Sequence, residues 1–268
     1  MARIVSEETS LGRRLATLGR ETATLVRLVR IEAALAIALL LAGGIRFAWT
    51  GRPGLLWGGL AAAALAAAHR LRIRENRAEE RATQAGLRGE ASVARTLSER
   101  LDASHYLFND LRVRAGRTRA QIDHLVVGPR GLFVIETKNW RGRVEGRAGA
   151  DRWTQNRGDG RPPVSVANPI RQVRRQADIL GRVLASAGIG PEDMHALVVF
   201  RSPQTDLHVA DADLPLLDPA EAARHIAGFT ASRALPESTI DAVVNRLAGR
   251  RQGGRISQTA RCRRNPEA

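Results

Sequence analysis

Residues 121–138, QIDHLVVGPRGLFVIETK, have the pattern of a β-hairpin. Two apolar runs at 121–127 and 132–137 are rich in the β-branched residues that favour strands. The four residues between them, GPRG at 128–131, have proline at the second position and glycine at the fourth, as in a type I turn. The sequence therefore predicts two antiparallel strands, and the turn fixes how they pair.

The predicted register of this hairpin brings polar side chains together on one face. When the two glycines of the turn pair with each other, Asp123 lies opposite Glu136. Two residues further along, Gln121 lies opposite Lys138, and side-chain alternation puts all four on the same face. Opposed side chains are about 5 Å apart, so two carboxylates there destabilise the sheet. A bound divalent cation relieves this repulsion, as does a shared proton, and oxygen ligands without histidine or cysteine favour Mg²⁺ or Mn²⁺.

Lys138 is the only lysine among the 42 basic residues of the chain, in which arginine is otherwise the general cation. A compact ammonium group at this position can orient a water molecule or stabilise charge on a phosphoryl oxygen. Arginine would be bulkier and would not readily give up a proton. The alternative is a metal-free ladder of ion pairs on a solvent-exposed face. The apolar residues on both faces of the two strands favour burial, and therefore the chemical interpretation.

An ordered set of short motifs extends outward from the hairpin. The motifs are Gly89-Glu90, Asn109-Asp110-Leu111, Gln121-Ile122-Asp123-His124, Gly131 to Asn139, Trp153, and Asn168-Pro169 with Gln172. In order and spacing, over about residues 86–200, the set resembles the NERD (nuclease-related domain) family, which is similar to the PD-(D/E)xK nucleases. The resemblance implies an α/β fold with a restriction-endonuclease-like core, a mixed central sheet of about four or five strands flanked by helices.

The resemblance also implies roles for individual residues. Asp123 and Glu136 would be metal ligands, with the backbone carbonyl of Thr137 as a third. Lys138 would be the catalytic lysine. Glu90 would point at the metal from the first helix of the domain, although a glutamate at a helix N-terminus is also favoured by the helix dipole alone. The residues expected to line the site or to contact the substrate are Gln121, Asn139, Arg141 and Gln172.

Two further groups lie near these motifs. A pair of glutamines has two possible interpretations, and a histidine is interpreted as structural. A helix is predicted from Asn168-Pro169 to about residue 187, because proline is favoured at the first helical position. Gln172 and Gln176 are four residues apart on one face of that helix, which points either to phosphate or to solvent. His124 alternates away from Asp123, which predicts a packed histidine and a poor candidate for a general base.

The remaining pattern predicts further elements of an α/β domain. Residues 145–167 are rich in glycine, proline and arginine and are expected to be irregular. The other predicted elements are a helix at Gly89–Leu101, strands at Tyr106–Val113, Ala196–Phe200 and Leu214–Leu217, and helices at Pro219–Phe229 and Pro236–Leu247.

The N-terminal part of the chain has the composition of a membrane hairpin. Residues 31–49 and 53–68 are apolar, each at or below the roughly 20 residues that a spanning helix needs. Arginines flank the pair on both outer sides, so the positive-inside rule places both ends in the cytoplasm. The alternative is a soluble helical hairpin packed on the main domain. The charged residues before the first apolar stretch argue against a cleaved signal peptide.

Taken together, these patterns predict five regions. They are a basic helical segment (1–30), an apolar helical hairpin that anchors the chain in a membrane (31–68), a charged helical connector (69–85), a NERD-like nuclease domain (86–249, with its motifs within 86–200) and a basic disordered tail (250–268).

Composition narrows the partners and cofactors. The 268 residues carry a net charge of +15, which favours a polyanion, either nucleic acid or an acidic membrane surface. The single cysteine, Cys262, excludes a disulfide framework and a cysteine-based zinc module. The sequence has no Walker A loop, G-x-G-x-x-G or H-E-x-x-H, so we expect neither a nucleotide nor a redox cofactor, and no zinc protease.

The sequence thus predicts a nuclease that depends on Mg²⁺ or Mn²⁺ and acts on DNA. We expect the bacterial inner membrane to hold it, with the nuclease domain facing the cytoplasm; the alternative is a cytoplasmic protein. Arginines of the loop at 141–161 and of the tail are expected to bind flanking phosphates. The alternative function is a catalytically inactive module of the nuclease fold that binds nucleic acid or a membrane partner.

Overall fold

The structure is a computed structural model that describes residues 1–5 and 10–251, in two units. One unit comprises residues 8–88, and the other comprises the N-terminal strand and the residues from 89 onward. The helices are α1 (Ser10–Thr50), α2 (Gly54–Arg100), α3 (Pro169–Leu184), α4 (Pro219–Gly228) and α5 (Glu237–Arg251). The strands are β1 (Arg3–Val5), β2 (Tyr106–Ala115), β3 (Thr118–Gly128), β4 (Gly131–Lys138), β5 (Gly142–Arg147), β6 (Arg152–Asn156), β7 (Val164–Ala167), β8 (Met194–Phe200), β9 (Thr205–Ala210) and β10 (Leu216–Leu217).

A six-stranded mixed sheet lies at the centre of the second unit, in the order β1-β2-β3-β4-β8-β10. Strands β2, β3 and β4 are antiparallel, whereas β1, β8 and β10 join their neighbours in parallel. Val93 and Leu97 of α2 pack on one face of the sheet, and the apolar side of α3 packs on the other. The α/β class is therefore confirmed. The sheet exceeds the expected four or five strands because the very short β1 and β10 extend its two edges.

The central hairpin forms as predicted. Its pairing runs from the two turn glycines to His124 and Ile135, in the register that the turn predicts. The regular ladder stops there, one position before Asp123 and Glu136. The two acidic residues therefore lie just beyond the paired part of the hairpin, and Glu136 is still held by the parallel ladder of β4 with β8, where it pairs with Val198.

A second sheet corrects the prediction that residues 145–167 are irregular. This sheet has four strands in the order β7-β6-β5-β9. Its anchor is Trp153, which is fully buried and donates from Nε1 to the carbonyl of Arg147 over 2.9 Å. Gly146 lies against the same ring, and a Cβ there would come within 2.3 Å of Trp153. The strands are short and half exposed, so their hydrophobic pattern is weak, and the glycines and prolines that dominate the composition stand largely in the turns.

The N-terminus is a second correction. Residues 1–30 were expected to be helical, but Arg3–Val5 form an edge strand parallel to β2. The amide of Ala2 donates to the carbonyl of Ser98 over 3.0 Å, and the Arg3 guanidinium donates to the Tyr106 hydroxyl over 2.7 Å. A strand of three residues is too short to show the alternation by which strands are recognised in a sequence.

Helix α1 and the first part of α2 pair as an antiparallel hairpin in the unit formed by residues 8–88. Small residues allow close contact: a Cβ at Gly43 would lie 2.8 Å from the backbone of Leu56, and one at Gly59 would lie 2.6 Å from the side chain of Leu40. Helix α2 is continuous to Arg100, so the predicted helix at Gly89–Leu101 is its last part and not a separate element.

The apolar surface of this hairpin is largely uncovered. Both helices are long and apolar enough to span a membrane, and only 17% and 11% of the residues in their apolar windows are buried. Its exposed large side chains include Ile31, Leu35, Ile37, Leu41, Ile45, Phe47, Trp49, Trp57, Leu60 and Leu65. The predicted tail (250–268) lies outside the described residues from position 252 onward, and Cys262 lies there with it.

Candidate active site

Glu136 and Lys138 form a buried ion pair at the end of β4. The Glu136 side chain is 2% exposed, and its Oε1 accepts a hydrogen bond from Lys138 Nζ over 2.5 Å. Its other oxygen, Oε2, accepts from Gln176 Nε2 over 2.7 Å. The interpretation of this pair as part of a solvent-exposed ladder is therefore wrong, because the sheet and α3 enclose it.

Lys138 is held from two further sides. Its Nζ donates to Oε1 of Gln172 over 3.1 Å and lies 5.7 Å from the ring centroid of Trp140. A partly buried ammonium group with several defined contacts has fewer accessible orientations than a lysine in solvent, so these contacts fix the direction of Nζ. Gln172 therefore contacts Lys138, and its predicted contact with a substrate stays a prediction.

The start of α3 explains why its glutamines reach the sheet. Oδ1 of Asn168 accepts from the amide of Ile170 over 2.9 Å and caps the helix. Nδ2 of the same side chain donates to the carbonyls of Ala148 and Ala150 over 2.9 and 2.6 Å. One buried asparagine therefore fixes the helix to the second sheet, and with it the direction in which its polar face points.

Asp123 lies beside this ion pair. Its Oδ2 accepts from the backbone amide of Thr137 over 2.8 Å. Burial raises the pKa of Asp123 well above its ordinary value, and the nearby carboxylates of Glu136 and Glu90 raise it further. The hydrogen bond from Thr137 and the charge of Lys138 act in the opposite direction but do not compensate. The carboxylate is therefore held where its negative charge is unfavourable.

Glu90 brings a further carboxylate from α2. Burial raises its pKa from 4.5 to about 7, the carboxylates of Asp110 and Glu136 add to the rise, and Lys138 opposes it. Helix α2 begins at Gly54, so Glu90 is far from the helix N-terminus, and the interpretation based on the helix dipole is wrong.

Gly89 allows α2 to approach the residues that follow β4. A Cβ at Gly89 would lie 2.9 Å from the Cβ of Asn139, closer than atoms of this kind come. Asn139 therefore packs beside Glu90, at the edge of the site. Arg141 is exposed, and its carbonyl accepts from Gln155 Nε2 over 2.9 Å. Contacts of Asn139 and Arg141 with a substrate stay predictions.

Two residues of the site were missed at the sequence level. Asp110 has a φ of 49°, a left-handed conformation inside β2, and its carboxylate raises the pKa of Glu90. Such strained backbone is typical of functional sites, and Asn109-Asp110 is a pair of residue types that tolerate it. Gln176 is 3% exposed and donates to the carbonyl of Gln121 as well as to Glu136. Its spacing of four residues from Gln172 was the available signal.

His124 is a packed histidine, as predicted. Its ring is 1% exposed, and Nδ1 donates to Oδ1 of Asn109 over 2.6 Å. Burial lowers the pKa of His124 to about 3, so the ring is neutral at physiological pH. It has the properties of a structural residue behind the site.

The donor set suits a hard divalent cation. Glu90, Asp123 and Glu136 all interact with the ammonium group of Lys138, and Asp110 lies close to Glu90. Buried Oγ1 of Thr137 and Oε1 of Gln176 have no hydrogen-bond partner. Within the described residues, however, no three histidine, cysteine, aspartate or glutamate side chains already form a ligand set. Each oxygen of Glu136 accepts one hydrogen bond, from Lys138 or from Gln176, and keeps a second lone pair that could ligate an ion.

Comparisons with known proteins agree with the motifs. Residues 85–201 match the family model of the nuclease-related domain (NERD), which confirms the resemblance over that range. A stretch of 89 residues is 42% identical to an uncharacterised protein of Bacillus anthracis and covers 32% of this chain and 41% of that protein. The chain thus matches about two fifths of the length of this curated relative. No solved structure gives a significant match.

Proposed function

We propose, on the premise that residues 85–201 form a nuclease-related domain, that this chain is a membrane-tethered nuclease that hydrolyses phosphodiester bonds in DNA. One observation carries the proposal. A buried Glu136–Lys138 ion pair lies next to Asp123 and Glu90, whose pKa values are raised by burial and by their negative neighbours. Such a concentration of charge is unfavourable for folding, and it is typical of a site that binds a cation and a phosphate.

Asp123, Glu136 and the carbonyl of Thr137 are the ligands that we propose for Mg²⁺ or Mn²⁺, with Glu90 close by. When bound, the ion supplies positive charge to the phosphoryl oxygens and lowers the pKa of the attacking water. The raised pKa values of Asp123 and Glu90 support this proposal, since a positive charge between the carboxylates would relieve their repulsion.

Lys138 is the catalytic residue of the proposal. Its ammonium group orients the water and stabilises the negative charge that grows on the phosphoryl oxygens. The water oxygen forms a bond to phosphorus and the water releases one proton to solvent, while the bond from phosphorus to the leaving sugar oxygen breaks and that oxygen takes up one proton from solvent. Gln172 is a second residue that holds Nζ in position, through the hydrogen bond that its Oε1 accepts.

A plasmid assay tests the activity. We expect the full-length protein, purified in detergent, to nick or linearise supercoiled DNA with Mg²⁺ or Mn²⁺, and to leave it intact with EDTA. Dependence on the ion follows from the uncompensated carboxylates. Metal-independent cleavage would contradict the proposed chemistry. Binding of DNA without cleavage under all conditions would favour the alternative, an inactive binding module, for which the two hydrogen bonds that occupy Glu136 are the supporting observation.

The apolar hairpin is the proposed anchor in a bacterial inner membrane, with the nuclease domain in the cytoplasm. Its exposed apolar residues and the arginines that flank it support this placement. The small residues at the contact between α1 and α2 are also typical of helices that associate within a bilayer.

Fractionation after substitution tests the anchor. We expect the wild-type chain to stay in the membrane pellet after an alkaline carbonate wash. Ile37→Arg/Leu41→Arg should move much of the protein to the soluble fraction, because each arginine costs roughly 3 kcal/mol at the centre of a spanning helix. Leu71→Arg is the control, as Leu71 is exposed among arginines outside the apolar stretch. Release of the wild type by carbonate would contradict the anchor.

A further inference from the structure

A groove of about 580 Å³ opens between the β2–β3 hairpin and α3. Four of its lining residues are arginines, and none is acidic. Its lining residues are Arg112, Val113, Arg114, Arg119, Ala120, Gln121, Gln172, Arg175 and Gln176. A concave surface with four positive charges and no negative one is suited to an extended polyanion.

Two arginines of the β2–β3 hairpin lie opposite each other, an arrangement in which their positive charges repel. Arg114 pairs directly with Arg119 across the two strands, and Arg112 pairs with Gln121. Residues opposed in this way share a face, so the three arginines project on the same side of the hairpin. Like charges directly opposite each other destabilise a sheet. A bound anion would relieve that repulsion.

Arg175 adds a fourth charge from α3. Its guanidinium donates to the backbone carbonyl of Arg119 over 3.3 Å, and this neutral acceptor leaves the positive charge in place. Its neighbours on the same helix differ, because Arg171 forms an ion pair with Asp151 and Arg174 forms one with Asp213. Ion pairs thus neutralise Arg171 and Arg174 beside the groove, whereas Arg175, which lines the groove, keeps its positive charge.

The groove and the candidate active site have a common wall. Gln172, which lines the groove, accepts from Lys138. Gln176, also in the lining, donates to the carbonyl of Gln121 and to Glu136. An anionic chain whose phosphate reaches Lys138 would therefore continue along the wall that the site shares with the groove.

We infer that this groove binds the sugar-phosphate backbone of DNA on one side of the cleaved bond, without reading the bases. The inference rests on the proposed function and places the phosphate contacts on the β2–β3 hairpin and α3. The loop at 141–161 is less suited to the task, because Arg143 and Arg147 form ion pairs with Glu145 and Asp211. Contacts to phosphates position a nucleic acid and carry no sequence information.

Binding measured in EDTA separates this inference from catalysis. Fluorescence anisotropy with a labelled DNA duplex and the full-length protein in detergent should show salt-dependent binding. For Arg112→Gln/Arg119→Gln we expect the slope of log K against log salt to become shallower by about 2. If the variant and the wild type bind equally at 1 M salt, the variant should then bind roughly 30-fold more weakly than the wild type at about 0.15 M salt. The control Arg171→Gln/Arg174→Gln removes the same charge from ion-paired positions and should change affinity less than about threefold.

Each result has a defined reading. The groove variant should unfold at the same or a higher temperature than the wild type, since Arg119→Gln removes a like-charge pair, so weaker binding would not reflect misfolding. Unchanged affinity and slope would overturn the inference even if the wild type cleaves plasmid with Mg²⁺. If the groove variant binds DNA like the wild type but loses binding to phosphatidylserine vesicles, the inference is overturned in favour of a lipid surface. Groove-dependent binding without cleavage in Mg²⁺ would uphold the inference and contradict the nuclease, whereas a wild type that binds no DNA would overturn both.

Discussion

Lys138→Ala is expected to reduce Mg²⁺-dependent cleavage of plasmid DNA by about 10³-fold, while binding to DNA in EDTA changes little. Removal of one preorganised donor from an active site typically costs this much in rate. Lys138 is the cation that contacts both Glu136 and Gln172, and the structure offers those two residues no replacement within its described part. The measurement is the initial rate of supercoiled DNA loss, with thermal unfolding as a check on folding.

Lys138→Arg tests whether the positive charge of Lys138 is sufficient for cleavage, or whether the size of its ammonium group and its ability to lose a proton are also needed. The substitution keeps a positive charge next to Glu136, so it avoids the cost of an unpaired buried carboxylate. A planar guanidinium is bulkier and does not give up a proton readily, and we expect a loss of cleavage close to that of Lys138→Ala. Arg224→Ala, an exposed position on α4, is the control for loss of one charge. Wild-type rates in Lys138→Ala would show that the site is wrongly assigned, and wild-type rates in Lys138→Arg would reduce the role of Lys138 to its charge.

The core of the site was predictable because it depends on local chemistry. A four-residue turn fixed the register of β3 against β4, and that register ends at His124 and Ile135, next to Asp123 and Glu136, whose carboxylates interact. The identity of Lys138 stood out because every other basic residue is arginine. None of these inferences needed knowledge of how distant elements pack.

The parts that were missed depend on packing between distant segments. Gln176 reaches Glu136 because Asn168 ties α3 to carbonyls some 20 residues earlier in the chain, and no local pattern encodes that tie. Asp110 joins the carboxylates through a left-handed backbone inside a strand, which a search for alternating residues treats as ordinary strand. Strand β1 pairs with β2, although the whole apolar hairpin lies between them in the sequence. A strand of three residues is too short to carry a pattern that indicates so distant a partner.

Removal of a carboxylate from the site is expected to stabilise the metal-free protein while it abolishes cleavage. The pKa of Glu90 is raised from 4.5 to about 7, so the ionised group opposes folding. That difference corresponds to at most about 3 kcal/mol of unfolding free energy at pH 8. Glu90→Gln in EDTA should therefore unfold at a higher temperature than the wild type. Asp123→Asn should do the same, since asparagine Oδ1 can still accept from the Thr137 amide.

The stability difference between Glu90→Gln and the wild type should depend on pH in a defined direction. A carboxyl group whose pKa is raised by folding destabilises the protein fully above about pH 7, and this cost disappears as the pH falls toward 4.5. The stability gain of Glu90→Gln should therefore be large at pH 8 and small at pH 5. His124, whose pKa is lowered to about 3, favours unfolding in acid, but it is present in both proteins and cancels from the difference. Glu145→Gln, a surface ion-pair residue, should show no such gain. Lower stability of Glu90→Gln at pH 8 in EDTA would mean that Glu90 is a structural residue and that the site carries no unfavourable charge for a cation to relieve.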